Sequence, residues 1–212
     1  NDQWGNPVAV LVGDFLYSRA FQMMVRVENM RVLQILAQTT NQIAEGEVLQ
    51  LINARDPDVT EARYLDVIRR KTAILFAAAT ELGALMSDLP EQAAALHDYG
   101  LHLGEAFQLI DDVLDYQGDS QAMGKNLGDD LAEGKPTLPL IYAMQHGSAS
   151  VAAQVRDAIR YAKVENLAAI QAAVIATGGL AYTATLAREA ADRAVHALGD
   201  LPDSVVKQSL VD

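Results

Sequence analysis

The stretch Phe107-Gln-Leu-Ile-Asp-Asp-Val-Leu-Asp115 decides both the fold and the chemistry of this chain. At helical spacing Asp111 lies one turn before Asp115, and Asp112 also precedes Asp115 by about one turn, so three carboxylates share one helical edge. Like charges this close repel, which raises their pKa values unless a cation lies among them. Ligands made only of oxygen favour a hard metal ion, Mg²⁺ or Mn²⁺.

A solvated acidic helix face is the simpler interpretation of the same residues. Such a face would carry further charges around the carboxylates, whereas their neighbours here are apolar. These neighbours are Ala106, Phe107, Leu109, Ile110, Val113 and Leu114. The pattern therefore favours a metal site on an otherwise packed helix, and the solvated face is kept as the alternative.

Two lysines follow the acidic helix. Lys125 and Lys135 each come directly after a glycine in the loop-rich stretch 124–139. A lysine ammonium group meets phosphate oxygens, while Mg²⁺ held by one or two carboxylates bridges to the same phosphate. A Walker loop would need Gly-Lys-Ser/Thr at the start of a helix after a strand, and the sequence has no such motif. We therefore expect the phosphate to be the diphosphate of a substrate.

These motifs together resemble the trans-polyprenyl diphosphate synthases. The family's DDxxD motif is present as Asp111, Asp112 and Asp115, and the stretch GKNLGDDLAEGKPTLP at 124–139 follows it. Other matching stretches, in the family's order, are 12–24, 43–51 and Lys71-Thr72. The likeness covers nearly the whole chain, and it is greatest to the bacterial members that make octaprenyl diphosphate.

The resemblance implies an all-α fold, the isoprenoid-synthase-type helical bundle around a central substrate cavity. It also implies a Mg²⁺-dependent head-to-tail condensation of isopentenyl diphosphate onto an allylic diphosphate such as farnesyl diphosphate. The expected product is octaprenyl diphosphate for quinone side chains. The expected assembly is a homodimer that lies in the cytoplasm and hands its product to a membrane.

The resemblance also assigns roles to single residues. It implies that Asp111, Asp112 and Asp115 hold the metal ions, and that these aspartates and Lys71 are catalytic. The residues expected to bind substrates are Lys71, Thr72, Phe107, Gln108, Lys125 and Lys135.

The substrate-binding residues fall into groups by the part of the substrates that they meet in the family. Lys71 and Thr72 match the pair that contacts the allylic diphosphate. Phe107 and Gln108 match the phenylalanine and glutamine that line the pocket for the second substrate and the reacting prenyl group.

The helix that precedes these residues departs from the family. Members often carry a Gly-Gln-x-x-Asp pattern that faces the cavity, whereas this chain has Gly46-Glu47-Val-Leu-Gln50. The roles of Glu47 and Gln50 therefore stay open between a place in the cavity and a solvated pair at a helix edge.

Composition narrows the classes of function. The net charge of −12 argues against nucleic acid and anionic membranes as partners, because both attract basic surfaces. The chain has no cysteine, which excludes disulfides and thiolate metal sites. Half of its 212 residues are hydrophobic, which suits a single domain over residues 1–212. The uncharged run 166–187 is too weakly hydrophobic for a membrane span, and we predict two helices there.

Apolar residues recur at the period of a helix along the whole chain, and no strand pattern competes with them. The predicted order starts with a strongly apolar helix at 8–27, which we expect to be buried. The helices expected after it are 31–53, 60–87 capped by Thr60, 91–118 with a break near Gly100, 136–146, 148–164, 167–177 and 179–198.

The family uses a first aspartate-rich motif that would lie upstream of Asn1, and it ends with a further helix. We therefore expect residues 1–212 to be the C-terminal two-thirds of such an enzyme, lacking its N-terminal helices and its last helix. On its own this part is expected to be inactive. Two other functions stay open, a catalytically silent partner subunit and a class I terpene cyclase. A helical lipid-binding protein would explain the apolar core but not the aspartates and lysines.

Overall fold

The computed structural model describes residues 5–87, 89–117, 128–163, 166–199 and 201–212, and all regular structure in these ranges is helical. The prediction of an all-α protein is thus confirmed. The α-helices are α1 (Gly5–Arg26), α2 (Met30–Asn53), α3 (Glu61–Ile68), α4 (Ile74–Leu85), α5 (Ala93–Gln117), α6 (Asp129–Ala132), α7 (Leu138–His146), α8 (Ala149–Tyr161), α9 (Leu167–Thr177), α10 (Gly179–Ala197) and α11 (Val205–Val211). A π-helical turn, Arg69–Ala73, joins α3 to α4, and a short 3₁₀ turn, Pro90–Gln92, precedes α5.

The chain forms two compact units, residues 1–40 and residues 41–212. The first contains α1 and the start of α2. The second contains every residue that is discussed below as part of the site. The single-domain prediction for residues 1–212 stays a prediction.

Helix α1 confirms the predicted helix but not its predicted burial. Of its described residues only Met24 is buried, and large apolar side chains such as Leu11 and Phe15 are 66% exposed. The physical reason is that, within residues 1–40, the start of α2 leaves nearly all of α1 uncovered, so its apolar side chains stay exposed. The expectation of a buried helix at 8–27 was therefore wrong for this chain.

Two places in the described helices are long and apolar enough to be compared with membrane spans. Helix α1 is long and apolar enough to cross a membrane, and α9 with α10 passes the same test only as a pair bent by 62°. Core helices and signal sequences share these properties. The bend at Gly178 confirms the prediction of two separate helices within 166–187.

The second unit is built around α5, which packs along α4 on one side and α10 on the other. One hydrophobic cluster joins α3, α5 and α7 through Tyr64, Ile68, Leu109, Leu138 and Ile141. These side chains are at most 6% exposed. The cluster fixes α3 and α5 side by side, which brings the first turns after Thr60 close to the acidic part of α5.

The segment after Thr60 differs from the single helix that was predicted. Thr60 is the N-cap, as expected, because its hydroxyl accepts a hydrogen bond from the Arg63 N–H at 3.3 Å. The helix is then interrupted by the π-turn, in which the Ile74 N–H donates to the Arg69 carbonyl five residues earlier. Such turns often occur at functional sites.

Glycines let the π-turn and α4 lie very close to their neighbours. A Cβ on Gly104 would be 2.5 Å from the Ala73 Cα, and one on Gly100 would be 2.5 Å from the Phe76 carbonyl oxygen. Helix α5 runs without interruption through Gly100, so the predicted break there was wrong. This glycine serves the approach of two helices.

We predict that Gly104→Ala destabilises the chain by about 1–3 kcal/mol, because the added methyl group meets backbone that cannot move away cheaply. Gly83→Ala is the matched control, since nothing lies within 4 Å of a Cβ at that position. In a helix this control should stabilise by about 0.5–1 kcal/mol. Urea unfolding of both variants measures the difference. Equal effects of the two substitutions would contradict the packing argument.

Candidate active site

One cavity in the second unit collects most of the residues that the sequence singled out. It has a volume of about 210 Å³ and lies between α2, α3, the π-turn, α5 and the segment 130–137. Its polar lining residues are Gln50, Asn53, Tyr64, Lys71, Thr72, Gln108, Asp111, Asp112, Asp130, Lys135 and Thr137, and its apolar ones are Val59, Val67, Ile68 and Pro136. The cavity therefore has an ionic part and an apolar part.

The predicted site residues divide into three groups. Those that line the cavity are Lys71, Thr72, Gln108, Asp111, Asp112 and Lys135. Asp115 and Phe107 do not line it, and Lys125 lies outside the described residues.

Asp112 is the most buried carboxylate of the cavity, with 2% of its surface exposed. The Tyr64 hydroxyl donates to its Oδ2 at 2.6 Å, and the Gln108 amide donates to its Oδ1 at 3.0 Å. Burial, followed by the charge of Asp130, raises the pKa of Asp112 to about 7, although the two hydrogen bonds oppose this rise. Among the described residues, no lysine, arginine or histidine forms an ion pair with Asp112.

Asp115 has a different position from its two partners in the motif. Its Oδ2 lies 3.4 Å from the backbone N–H of Asp130, and its own carbonyl accepts from the Gly128 N–H at 3.1 Å. Burial, followed by the charge of Asp130, raises the pKa of Asp115 to about 6. Asp115 therefore joins the end of α5 to the start of α6 and lies behind the cavity wall.

Asp130 is a residue to which the sequence reasoning gave no role. It lines the cavity, and its charge acts on both Asp112 and Asp115. The only sequence signal was its place in the stretch Gly128-Asp-Asp130, because its approach to α5 depends on tertiary structure.

Lys135 is the cation that faces Asp130. Its Nζ lies 2.9 Å from Asp130 Oδ1 and 2.7 Å from Glu133 Oε2. Burial would lower the pKa of Lys135, but the hydrogen bonds and charges of Glu133 and Asp130 raise it above its ordinary value. Lys135 is therefore a permanently charged group at the edge of the cavity.

Lys71 lines the cavity from the π-turn. Its Nζ lies 2.8 Å from Gln50 Oε1 and 3.2 Å from Glu47 Oε1. The open question about Glu47 and Gln50 is thereby answered structurally, since both side chains contact Lys71 and Gln50 lines the cavity. They hold the ammonium group at the cavity.

Thr72 connects the π-turn to the acidic helix. Its hydroxyl donates to Gln108 Oε1 at 3.0 Å, and Gln108 in turn donates to Asp112. With the Tyr64 hydroxyl, these groups form one hydrogen-bonded chain from Thr72 to Tyr64. Gln108 is therefore oriented by both of its neighbours.

Phe107 points away from this chain. Its side chain is 55% exposed, and its ring lies 5.4 Å from the ring of Phe76. It precedes Gln108 by one residue and so lies about 100° around α5 from it. Its predicted part in substrate binding stays a prediction.

The metal-binding prediction can be compared with the donor set. Among the described residues, no group of three or more histidine, cysteine, aspartate or glutamate side chains is arranged to hold a metal ion. Asp111, Asp112 and Asp130 nevertheless line one cavity, and Asp111 and Asp130 both raise the pKa of Asp112. These oxygen ligands fit Mg²⁺, which commonly uses one or two carboxylates together with substrate phosphates and water.

Comparison with known proteins decides the family. The family model described as polyprenyl synthetase matches residues 1–176, which is most of the chain. The chain belongs to the polyprenyl synthetase family. This confirms the resemblance that the DDxxD motif and the stretches around it indicated.

The relatives of this polyprenyl synthetase family member include long-chain enzymes. It is 50% identical to the octaprenyl diphosphate synthase of Haemophilus influenzae, over 100% of this chain and 65% of the relative. It is 46% identical to the all-trans-nonaprenyl-diphosphate synthase (geranyl-diphosphate specific) of Rhodobacter capsulatus, over 100% of this chain and 65% of that protein. The chain thus spans about two-thirds of the length of these curated relatives.

A solved structure supports the same family and fold. The polyprenyl synthase of Caulobacter crescentus CB15, complexed with calcium and isoprenyl diphosphate, superimposes with a TM-score of 0.93 at 44% identity. The match covers 98% of this chain and 64% of that one. The predicted isoprenoid-synthase-type helical fold of this polyprenyl synthetase family member is thereby confirmed.

We predict that the metal-free polyprenyl synthetase chain loses stability as the pH rises from about 4 to 7. The folded pKa of Asp112 is about 7, whereas an unfolded aspartate has a pKa near 3.9. The folded state therefore binds more protons in this window, and each pH unit costs at most about 1.4 kcal/mol for this one group. Asp115 acts in the same direction up to about pH 6.

Unfolding by urea with a chelator at pH 5 and pH 8 measures this loss. Asp112→Asn should shrink the difference between the two pH values, and the exposed Asp192→Asn should leave it as in the unsubstituted chain. An unchanged difference in Asp112→Asn would show that Asp112 does not carry the effect.

Proposed function

We propose that this chain is part of a long-chain all-trans polyprenyl diphosphate synthase and carries residues of its active site. Its reaction would join isopentenyl diphosphate head-to-tail to an allylic diphosphate such as farnesyl diphosphate. The observation that carries the proposal is that Asp111, Asp112 and Asp130 line one cavity together with Lys71 and Lys135. Carboxylates for a metal and lysines for a phosphate are what an ionising diphosphate requires.

The metal is proposed to be Mg²⁺, with Mn²⁺ as an alternative, held by Asp111, Asp112 and Asp115. When bound, Mg²⁺ supplies positive charge to the diphosphate and so favours its departure. Asp112 and Asp115 support this assignment because their pKa values are raised by burial and by other carboxylates, a strain that a cation relieves. Asp130 adds a fourth carboxylate to the same wall.

The residues of the chain position the substrates. Lys71 is proposed to exchange its contacts with Gln50 and Glu47 for the allylic diphosphate, and Thr72 to donate to the same group. The apolar residues Val59 and Val67 line the cavity beside this ionic part and suit the allylic hydrocarbon.

The hydrogen-bonded chain orients the reacting groups. Gln108 is held by Thr72 and Asp112, so its amide keeps a fixed direction next to the allylic carbon. In the proposed order the diphosphate leaves first, the double bond of isopentenyl diphosphate then attacks, and a proton is finally lost from the joined chain.

The product is proposed to be octaprenyl diphosphate for quinone side chains, because the relative that is 50% identical to this chain is an octaprenyl diphosphate synthase. The nonaprenyl enzyme at 46% identity is the nearest competing length on the same grounds. The enzyme is proposed to work in the cytoplasm and to deliver its product to a membrane.

We predict that the chain binds a non-hydrolysable allylic diphosphate analogue, and that Mg²⁺ strengthens this binding. Asp111→Ala should abolish most of the Mg²⁺-dependent gain, a loss of about 10²–10³-fold if it resembles removal of one pre-placed catalytic contact. Lys71→Ala should weaken binding both with and without Mg²⁺, since it removes a direct phosphate contact. Asp192→Ala, an exposed aspartate on α10, is the matched control.

Isothermal titration with and without EDTA measures these affinities. Binding that ignores Mg²⁺, or that survives Asp111→Ala unchanged, would contradict the proposed site. Product length is read by chromatography of the reaction with farnesyl and isopentenyl diphosphates. That assay uses the chain extended upstream through a first aspartate-rich motif, beside the 212-residue chain.

We also propose a homodimer. Helix α1 exposes a large apolar surface that includes Leu11, Phe15 and Leu16, each between 59% and 66% exposed. Contiguous apolar surface of this kind marks interaction sites, and a second copy of the chain is the partner that closed symmetry favours.

Sedimentation at micromolar concentration should therefore give twice the chain mass. Phe15→Asp should shift the equilibrium towards monomer, because the charge would be buried at the interface. Phe107→Asp, at a phenylalanine of α5 that is 55% exposed, is the control and should leave the mass unchanged. A monomer of the unsubstituted chain at these concentrations would remove the proposal.

A further inference from the structure

A buried ion cluster lies beside the cavity and takes no part in the proposed chemistry. Its centre is Glu105 on α5, which is 3% exposed. Arg69 Nε lies 2.5 Å from one of its oxygens, while His102 Nδ1 at 3.2 Å and Arg193 at 3.4 Å contact the other. Burying a carboxylate costs free energy, and three polar side chains offset that cost here. They come from the π-turn, α5 and α10.

The partner Arg69 gives this cluster its significance, because Arg69 is the first residue of the π-turn. Its backbone carbonyl accepts the hydrogen bond from the Ile74 N–H that defines the turn. A side-chain contact that holds Arg69 in place therefore also holds the carbonyl that accepts the closing hydrogen bond of the π-turn. A regular helix would close one residue sooner and would change the direction of the residues that follow.

The residues that follow Arg69 make the cavity contacts. Lys71 reaches Gln50 on α2, and Thr72 reaches Gln108 on α5. The two side chains thus contact opposite walls from adjacent positions in the turn.

The backbone of the turn is confined from both sides. A Cβ on Gly46 would lie 2.7 Å from the Lys71 N atom, and one on Gly104 would lie 2.5 Å from the Ala73 Cα. Glycine packing sets the space available to the turn. The rotation of the turn about its own axis depends on side-chain contacts, among them the ion pairs of Arg70 with Glu45 and Asp66. The ion pair between Arg69 and Glu105, one residue after Gly104, restricts that rotation.

We infer that Glu105 is a positioning residue, which through Arg69 holds the π-turn in the orientation that presents Lys71 and Thr72 to the diphosphate. This inference rests on the proposed function for its ligand. The contact between Glu105 and Arg69, the first residue of the turn, does not depend on which ligand binds.

The charge state of the cluster agrees with this role. Burial would raise the pKa of Glu105, but the hydrogen bonds and charges of Arg69 and His102 outweigh burial and keep the pKa below its ordinary value. Glu105 therefore remains ionised at neutral pH, and the pair with Arg69 persists.

Three substitutions separate positioning from general stability. Glu105→Gln keeps the shape but removes the charge, and Arg69→Gln removes the partner on the π-turn. Arg193→Gln is the matched control, since it removes a contact to the same carboxylate from α10, which is not part of the turn. All three are measured in the 212-residue chain at a temperature well below the thermal midpoint.

Two readouts are compared. The first is the affinity for the allylic diphosphate analogue with Mg²⁺, which should fall about tenfold in Glu105→Gln and Arg69→Gln, because small misplacements of binding groups have large effects. The second needs no ligand. Hydrogen exchange of the peptide covering residues 69–75 should become about tenfold faster in the same two variants, as local opening becomes easier.

Arg193→Gln should change neither readout by more than about twofold, whatever its effect on the thermal midpoint. In a Lys71→Ala background, Glu105→Gln should cause a smaller further loss of affinity than in the unsubstituted chain, because one of the two groups that it positions is gone.

The inference is overturned if Arg193→Gln matches the other two variants in exchange and affinity, since the cluster would then act only on stability. It is also overturned if exchange of residues 69–75 is unchanged in Glu105→Gln. If the unsubstituted chain binds no diphosphate while exchange responds as expected, the proposed function fails and the positioning of the turn stands.

Discussion

The close approach of the π-turn to both α2 and α5 is the constraint on which the site depends. Two helices can flank the turn at backbone distance only because Gly46 and Gly104 carry no side chain there. This approach brings Lys71 within reach of α2 and Thr72 within reach of α5. The Lys71 ammonium group and the Thr72 hydroxyl therefore belong to the lining of the same cavity. The depth and width of the cavity are therefore set by backbone packing, and the chemistry of its walls is set by the side chains that this packing presents.

Electrostatics gives the cavity its second property, which is an excess of negative charge that is only partly balanced. Lys71 and Lys135 are the cations of the described lining, and each is already engaged by carboxylates or amides. Asp112 and Asp130 then raise the free energy of the site in the absence of a metal ion, as the raised pKa of Asp112 shows. Functional sites commonly carry such a cost to folding stability.

The sequence allowed much of the fold and part of the site to be predicted. Helical periodicity placed most of the long helices, although it gave neither the π-turn nor the short helices α6 and α11. The i, i+4 spacing together with the family resemblance singled out Asp111, Asp112 and Lys71, which line one cavity. Tyr64 and Asp130 were missed, because their approach to Asp112 depends on how separate elements pack, and no local pattern encodes this.

Helical spacing alone does not show that Asp115 faces the backbone of α6, and its part in metal binding stays a prediction. The errors about the fold have equally physical causes. The burial of α1 was inferred from composition, yet burial depends on what is available to cover the helix. The break expected at Gly100 followed from the low helix propensity of glycine, whereas tertiary packing against Phe76 overrides that preference.

The π-turn has a consequence for how the chain can change during evolution. Its hydrogen bond from Ile74 to Arg69 closes over one residue more than an α-helical bond, so the segment behaves as a helix that has gained a single residue. Deleting one residue there would restore a regular helix but would rotate all of α4 against α5 and move Phe76 away from Gly100. The π-turn and the glycines that face it should therefore be kept together in evolution. The segment should tolerate substitutions of side chains but not insertions or deletions.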